Sequence, residues 1–318
     1  MRSLMQVHQE LFCSGGRPDV DVNGSARVKR MELPKFSLFM YDGHDIVSDH
    51  MKGGGWEKEE IDEMLWALEA KVPPAGTPVQ GKLPPARTWA KPSRPLMVEV
   101  GANVGWFTVN AAAAGADVAA FEAMSENTLL MRNTLCDNPK LAARVALHGT
   151  GLGSRRSTCH MISGDGNLGD GLSICDRDPQ VDIKAQAKAG HTYLLRGEMT
   201  TMRLDPDSLL DEEVQVLKMD IESFELDALR GASGLMRHHN VWFMIIECNV
   251  GMIGEAAKIE LMTFIDNLGY AISNRSFRGP WIDPAQISNG TTKLDRVSLF
   301  AVKKTWKAAQ DKVDRRLL

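Results

Sequence analysis

Apolar positions along the chain change their period. Ile61, Met64, Leu65 and Leu68 recur at i, i+3, i+4 and i+7, which predicts an amphipathic helix over 57–70 with a charged outer face. From residue 96 onward, short apolar runs alternate with helical spacing. Strands are expected at 96–100, 117–121, 144–148, 214–219 and 241–247, with helices at 108–114, 126–137 and 228–238. The WFMII core of the fifth run suggests burial on both faces. This alternation implies a mostly parallel sheet with helices on both sides. Runs at 270–276 and 297–302 follow with only loop between them, so an antiparallel pair should close one edge.

Other stretches break the rhythm. Seven of the 14 prolines fall between Pro73 and Pro95, and proline fixes φ and removes a donor, so 73–95 reads as a linker or wrapping loop. Residues 1–72 hold little periodicity beyond the one helix and read as an N-terminal cap. The core then spans 96–303, leaving a tail at 304–318. Within 150–200, Gly151, Gly153, Gly164, Gly166, Gly169 and Gly171 crowd together, which predicts a mobile, functional loop.

Composition narrows the class. Hydrophobic residues make up 43% and charged residues 25% of the 318, close to ordinary globular usage, so a soluble folded enzyme-sized chain is expected. Lys and Arg total 37 against 41 Asp and Glu, so no whole-chain positive field favours a nucleic-acid partner. The five cysteines lie far apart with no CxxC, and neither a zinc framework nor a disulfide pattern can be read from their spacing. A reducing compartment is the expectation. No apolar run suits a signal peptide or a membrane span, which points to the cytoplasm and leaves organelle import open.

The sharpest motif is MVEVGANVGWFT at 97–108: a buried strand carrying Glu99, then Gly101, Asn103 and Gly105 as a helix begins. Glycines there let a nucleotide-bearing ligand approach the backbone. Glu122 ends the second strand, 21 residues after Gly101, where a carboxylate can accept both hydroxyls of a ribose. Together these spacings read as an adenosine site. Alternatively, the glycines only tighten a turn and Glu122 is a solvated strand-end charge. A dinucleotide fold needs GxGxxG, whereas this chain has GxNxG. Its Glu99 suits the amine of a methionine moiety and would repel a diphosphate, so S-adenosylmethionine is the better fit. Trp106 and Phe107 either stack on adenine or pack in the core. Thr150, just past the third strand, joins them on the cofactor side.

EVGANVGWFT, the acid of AFEA, the segment LKMDIESFELDALRGASGLM and the strand IIEC occur in that order. They resemble the FkbM-type S-adenosylmethionine-dependent methyltransferases over about 96–303, and KMDIESFE is the most specific part. Ser223 departs from the pattern, standing where the family usually has glycine. The stretch 45–57 looks like the family's lead-in, suggesting Trp56 and Glu57 as part of a lid. The resemblance implies a class I methyltransferase α/β fold, with a seven-stranded, mostly parallel sheet, an antiparallel C-terminal edge and a preceding cap. It also implies methyl transfer to a hydroxyl of a small molecule or glycan. The same sheet would equally serve N- or protein-directed methylation, or a non-catalytic cofactor-binding scaffold.

Asp220, at the end of the fourth strand, is the expected general base and should lie near the sulfonium. Glu222 and Glu225 follow it, and each could instead cap the next helix. Glu247 ends an otherwise apolar strand and so needs a partner or a substrate. His148 is a candidate second-sphere base, and His238 and His239 read as surface residues. Asp220, Glu247 and Asn249 could offer oxygens to Mg²⁺, but nothing in their spacing enforces octahedral geometry, and no metal is expected. The oligomeric state is not readable.

Overall fold

The computed structural model describes residues 9–15, 27–53, 55–79, 82–204 and 212–317. Thirteen strands are named among them: β1 (Arg27–Glu32), β2 (Ser37–Asp42), β3 (Leu96–Val100), β4 (Asp117–Phe121), β5 (Val145–His148), β6 (Gly151–Leu152) and β7 (Ser157–Gly164). They continue with β8 (Asn167–Cys175), β9 (Tyr193–Met202), β10 (Val214–Met219), β11 (Val241–Glu247), β12 (Tyr270–Ser273) and β13 (Ser298–Lys303). Seven of them form a mixed sheet in the order β12-β13-β11-β10-β3-β4-β5. The chain divides into two compact units, one of residues 1–58 with 99–203, the other of residues 59–98 with 204–318.

In the first unit β4 and β5 pair in parallel, as the alternating pattern requires. The helix Trp106–Ala113 precedes β4, and Ser125–Asp137 follows it. The N-terminal stretch adds a β1–β2 antiparallel hairpin and the helix Ile46–Lys52, neither of which the hydrophobic pattern announces. The hairpin has a packing role. Phe36, Leu38, Met40 and Tyr41 bury themselves with Val104, Val109, Leu130 and Leu168 in one cluster.

The region 150–200 is not a mobile loop. It folds into a four-stranded sheet, β6-β9-β7-β8, with the helix Pro179–Lys188. β7 and β8 pair across a two-residue turn at Asp165 and Gly166, a dipeptide that marks hairpins. Two of the crowded glycines serve close contact rather than freedom. A Cβ on Gly171 would lie 2.5 Å from Met124 Sδ and from Met161 Cε, and one on Gly169 would lie 2.9 Å from Asn103 Oδ1.

In the second unit β10 and β11 pair in parallel and are almost wholly buried, which suits central strands with both faces covered. β13 runs antiparallel to both β11 and β12. The segment between β12 and β13 contains the helix Pro284–Ser288, where only loop was expected. The amphipathic helix forms over Lys58–Glu69. Its Trp66 stacks on Phe277 and meets Phe243 edge-on, while Glu63 accepts the Phe277 N–H at 2.9 Å and pairs with Arg278. The proline-rich stretch carries a short 3-10 turn, Ala86–Thr88, and a lone bridge between Val72 and Ala90.

Four of the five cysteines are paired, against the expectation of a reducing compartment. Cys13 bonds Cys136 on the helix Ser125–Asp137, 123 residues away, and Cys159 bonds Cys175 across β7 and β8. Spacing could not reveal them, because each pair meets only through the fold. Disulfides of this kind belong to oxidising compartments. Among the described residues, no helix is long and apolar enough to cross a membrane. Alkylation of the denatured, unreduced protein should label one thiol, that of Cys248, and prior reduction should raise the count to five. Intact-mass measurement gives the count, and five labels without reduction would refute both bonds.

Candidate functional site

In the first unit the turn after β3 is built from left-handed residues, with φ of 80° at Gly101, 51° at Asn103 and 90° at Gly105. Glycine takes such angles without penalty, and asparagine tolerates them because its side chain bonds locally. Asn103 Oδ1 accepts the Val104 N–H at 2.7 Å. Gly101 and Ala102 both donate to the Phe121 carbonyl, which ties this turn to the end of β4.

Glu122 stands one residue past that end and is 5% exposed. Its Oε2 accepts the Asn103 N–H at 2.7 Å, and its Oε1 accepts the Met124 N–H at 2.8 Å and Asn127 Nδ2 at 3.3 Å. It is therefore no solvated strand-end charge. The glycine turn and Glu122 are brought together, as the motif spacing suggested. A carboxylate has about four lone-pair sites, so these bonds fix its orientation without excluding a further donor.

The other residues expected around the cofactor have mixed placements. Glu99 is buried and accepts the Thr108 hydroxyl, a partner in the following helix. Phe107 is buried in the core, which gives it a packing position. Trp106 donates its indole N–H to the Trp56 carbonyl at 2.9 Å and meets Phe36 edge-on, so it joins Trp56 and the hairpin instead of standing free for adenine. Thr150 Oγ1 donates to the Thr200 carbonyl at 2.6 Å. His148 stacks on Phe121, ring centroids 4.5 Å apart, and burial pushes its pKa down to about 4, so its imidazole is neutral at pH 7.

In the second unit the segment after β10 gathers acids. Asp220, Glu222 and Glu247 each bring a carboxylate oxygen within 4.8 Å of the others. Hard divalent cations accept oxygen sets of that type. Lys218 Nζ, on a side chain 7% exposed, donates to Asp220 Oδ2 at 3.0 Å. Like charges this close disfavour full ionisation. Burial first, and the Asp220 carboxylate second, push the Glu247 pKa up to about 9, so Glu247 carries a proton at neutral pH and can share it with Asp220.

Glu225 accepts the Ile221 N–H at 2.9 Å, a backbone group in the turn before the helix Glu225–Gly231, and burial raises its pKa to about 7. Residue-type reasoning missed Lys218 and Asn127. A lysine in a mostly apolar strand, two residues before an acid and so on its face, was the available signal for the first. His238 is exposed and His239 half-buried.

Two expectations follow. Ser223, at the usual glycine position, retains a glycine-like φ of 80°, and Glu222 before it has φ 51°. A side chain in that region costs about 1–2 kcal/mol. Ser223→Gly should therefore stabilise the fold by about 1 kcal/mol in chemical denaturation, less a few tenths for added freedom of the unfolded chain. An unchanged or lower midpoint would contradict the strain. For pH, Glu247 is an acid whose folded pKa lies above its ordinary 4.5. Its contribution is thus whole below about pH 4.5 and lost as pH rises toward 9. The Tm difference between Glu247→Gln and wild type should shift in the variant's favour from pH 5 to pH 9, and a constant difference would contradict the raised pKa.

No curated protein matches the chain. Among solved structures, it is similar to a SAM-dependent methyltransferase from Agrobacterium tumefaciens, at 10% identity and TM-score 0.40, covering 87% of this chain and 70% of that one. An O-methyltransferase from Bacillus cereus in complex with SAH gives 12% identity and TM-score 0.33, covering 65% and 74%. WbdD, co-crystallised with a kinase inhibitor, gives 12% and 0.35, covering 78% and 39%. At these scores the likenesses carry no argument. The model of the methyltransferase FkbM domain matches residues 99–272, more than half of the chain. The chain belongs to the FkbM methyltransferase family, and its cofactor is S-adenosylmethionine.

Proposed function

We propose that this protein methylates a hydroxyl oxygen on a small molecule or glycan. The observation that carries the reading is the carboxylate cluster of Asp220, Glu222 and Glu247 beside Lys218. A hydroxyl is a poor nucleophile until its proton is removed, and a positioned carboxylate is the group that removes it.

The donor set suits the cofactor. Glu122 is a buried carboxylate held in one orientation beside a left-handed backbone turn, which fits a ribose diol. Bound S-adenosylmethionine supplies a methyl group already activated on a sulfonium. What remains for the chain is to orient the acceptor and take its proton. Asp220 takes that proton. Lys218 holds its Oδ2 by a hydrogen bond, and the protonated Glu247 orients it by another.

The acceptor is proposed not to be nucleic acid, given a net charge of −4. The two disulfides favour an oxidising compartment over the cytoplasm.

The test has two arms. Glu122→Ala should weaken S-adenosylhomocysteine at least about tenfold by calorimetry with the fold intact, since it removes charge-assisted bonds. Asp220→Asn should lower turnover at least about a hundredfold with little change in Tm, in assays that follow methyl gain in a metabolite extract by mass. Unchanged binding would refute the role of Glu122 as the ribose carboxylate. Turnover within about tenfold of wild type, or a product methylated on nitrogen, would refute the base or the acceptor class.

A further inference from the structure

We propose that Tyr41 is a positioning residue for the cofactor: its hydroxyl pins the Asn127 amide, and that amide pins the Glu122 carboxylate. The inference rests on the reading of Glu122 as the ribose carboxylate. Tyr41 lies on β2, outside the 99–272 matched by the family model.

Of the three donors to Glu122 named above, Asn103 N–H and Met124 N–H belong to the backbone. The third, Asn127 Nδ2, sits on a side chain that could turn about its own torsions. Two contacts stop it. Asn127 Nδ2 also donates to the Gly169 carbonyl at 2.9 Å, and Asn127 Oδ1 accepts the Tyr41 hydroxyl at 2.8 Å. The amide has no freedom to flip. Glu122 and the Gly169 carbonyl are both acceptors, so the nitrogen must face them, and the oxygen must then receive a donor from the other side. Tyr41 is that donor. Burial, helped by the Asp45 carboxylate, raises its pKa well above the ordinary tyrosine value, so the hydroxyl keeps its proton.

Tyr41 is itself held. Its side chain is fully buried, and its backbone N–H donates to Ser48 Oγ at 3.2 Å. Asp45 accepts Ser48 N–H at 2.9 Å with one oxygen and Gly169 N–H at 2.8 Å with the other. Tyr41, Asp45 and Asn103 all crowd the space where a Cβ on Gly169 would lie. The hairpin, the inserted sheet and the cofactor turn are thus locked at one point, and Asn127 joins that point to Glu122. Removing the hydroxyl leaves Asn127 Oδ1 buried without a donor. The amide then gains by turning, or by admitting water, at the expense of its bond to Glu122.

The experiment is a double-mutant cycle read as S-adenosylhomocysteine affinity, with Tm and the acceptor KM followed alongside. Tyr41→Phe should raise the Kd about three- to tenfold and leave the acceptor KM within about twofold. In a Glu122→Ala background the same substitution should cost no further affinity, because Tyr41 acts through Glu122. Asn127→Asp, which replaces the donor by a second carboxylate of the same size, should weaken binding more than Tyr41→Phe. Additive losses in the cycle, or a lower Tm with unchanged Kd in Tyr41→Phe, would overturn the proposal and leave Tyr41 a purely structural residue. Should Glu122→Ala alone leave the Kd unchanged, the ribose reading itself fails, and the inference falls with it.

Discussion

A carboxylate placed out of water has to be met by donors, and at Glu122 that requirement organises the first unit. Leaving one of its oxygens without a partner would cost several kcal/mol. The chain answers with donors that are not neighbours in sequence: Asn103 from the turn after β3, and Met124 and Asn127 from the start of the helix Ser125–Asp137. Each brings its own segment to the same place. Asn127 in turn recruits β2 through Tyr41 and β8 through Gly169. A group useful for binding a ribose is, in its own unit, also a fastening point between elements of secondary structure.

The second unit faces the opposite electrostatic problem, an excess of acceptors. Asp220, Glu222 and Glu247 crowd together, with the Glu225 carboxylate raising Glu247 further and Lys218 as the buried cation beside Asp220. Protonation of Glu247 relieves the repulsion at neutral pH and leaves a hydrogen-bond donor where a second anion would have stood. The strained Ser223 sits in the turn just after Asp220. Backbone strain next to reactive side chains is common where their direction matters more than stability.

Much of this was legible in the sequence where a local rule applied. β3, β4, β10 and β11 appear at the positions their apolar runs predict, and Glu122 and the glycine turn meet as their spacing implies. The region 150–200 departs from its expectation because glycine has two physical meanings. Gly169 and Gly171 are there for want of space, as Met124, Met161 and Asn103 press against them, and composition alone cannot tell that from flexibility. The Asp165-Gly166 turn was the overlooked cue. Tyr41 and Asn127 are 86 residues apart and the paired cysteines Cys13 and Cys136 are 123 apart, so no periodicity connects them. Such partners become visible only when the fold closes the distance.

The bond between Cys13 and Cys136 also sets an order of events during synthesis. The first thiol leaves the ribosome and must wait for 123 further residues before its partner exists. At ordinary elongation rates that interval is roughly 6–25 s. During it Cys13 is open to any other oxidant or thiol, whereas Cys159 waits for only 16 residues before Cys175 follows. Cys159 and Cys175, facing each other across one hairpin, can pair almost as soon as they emerge. Both of the N-terminal crosslink's partners are nevertheless made before Cys159 is, so this crosslink is the first that can close, and its yield depends on how well the surrounding compartment protects the Cys13 thiol while it waits.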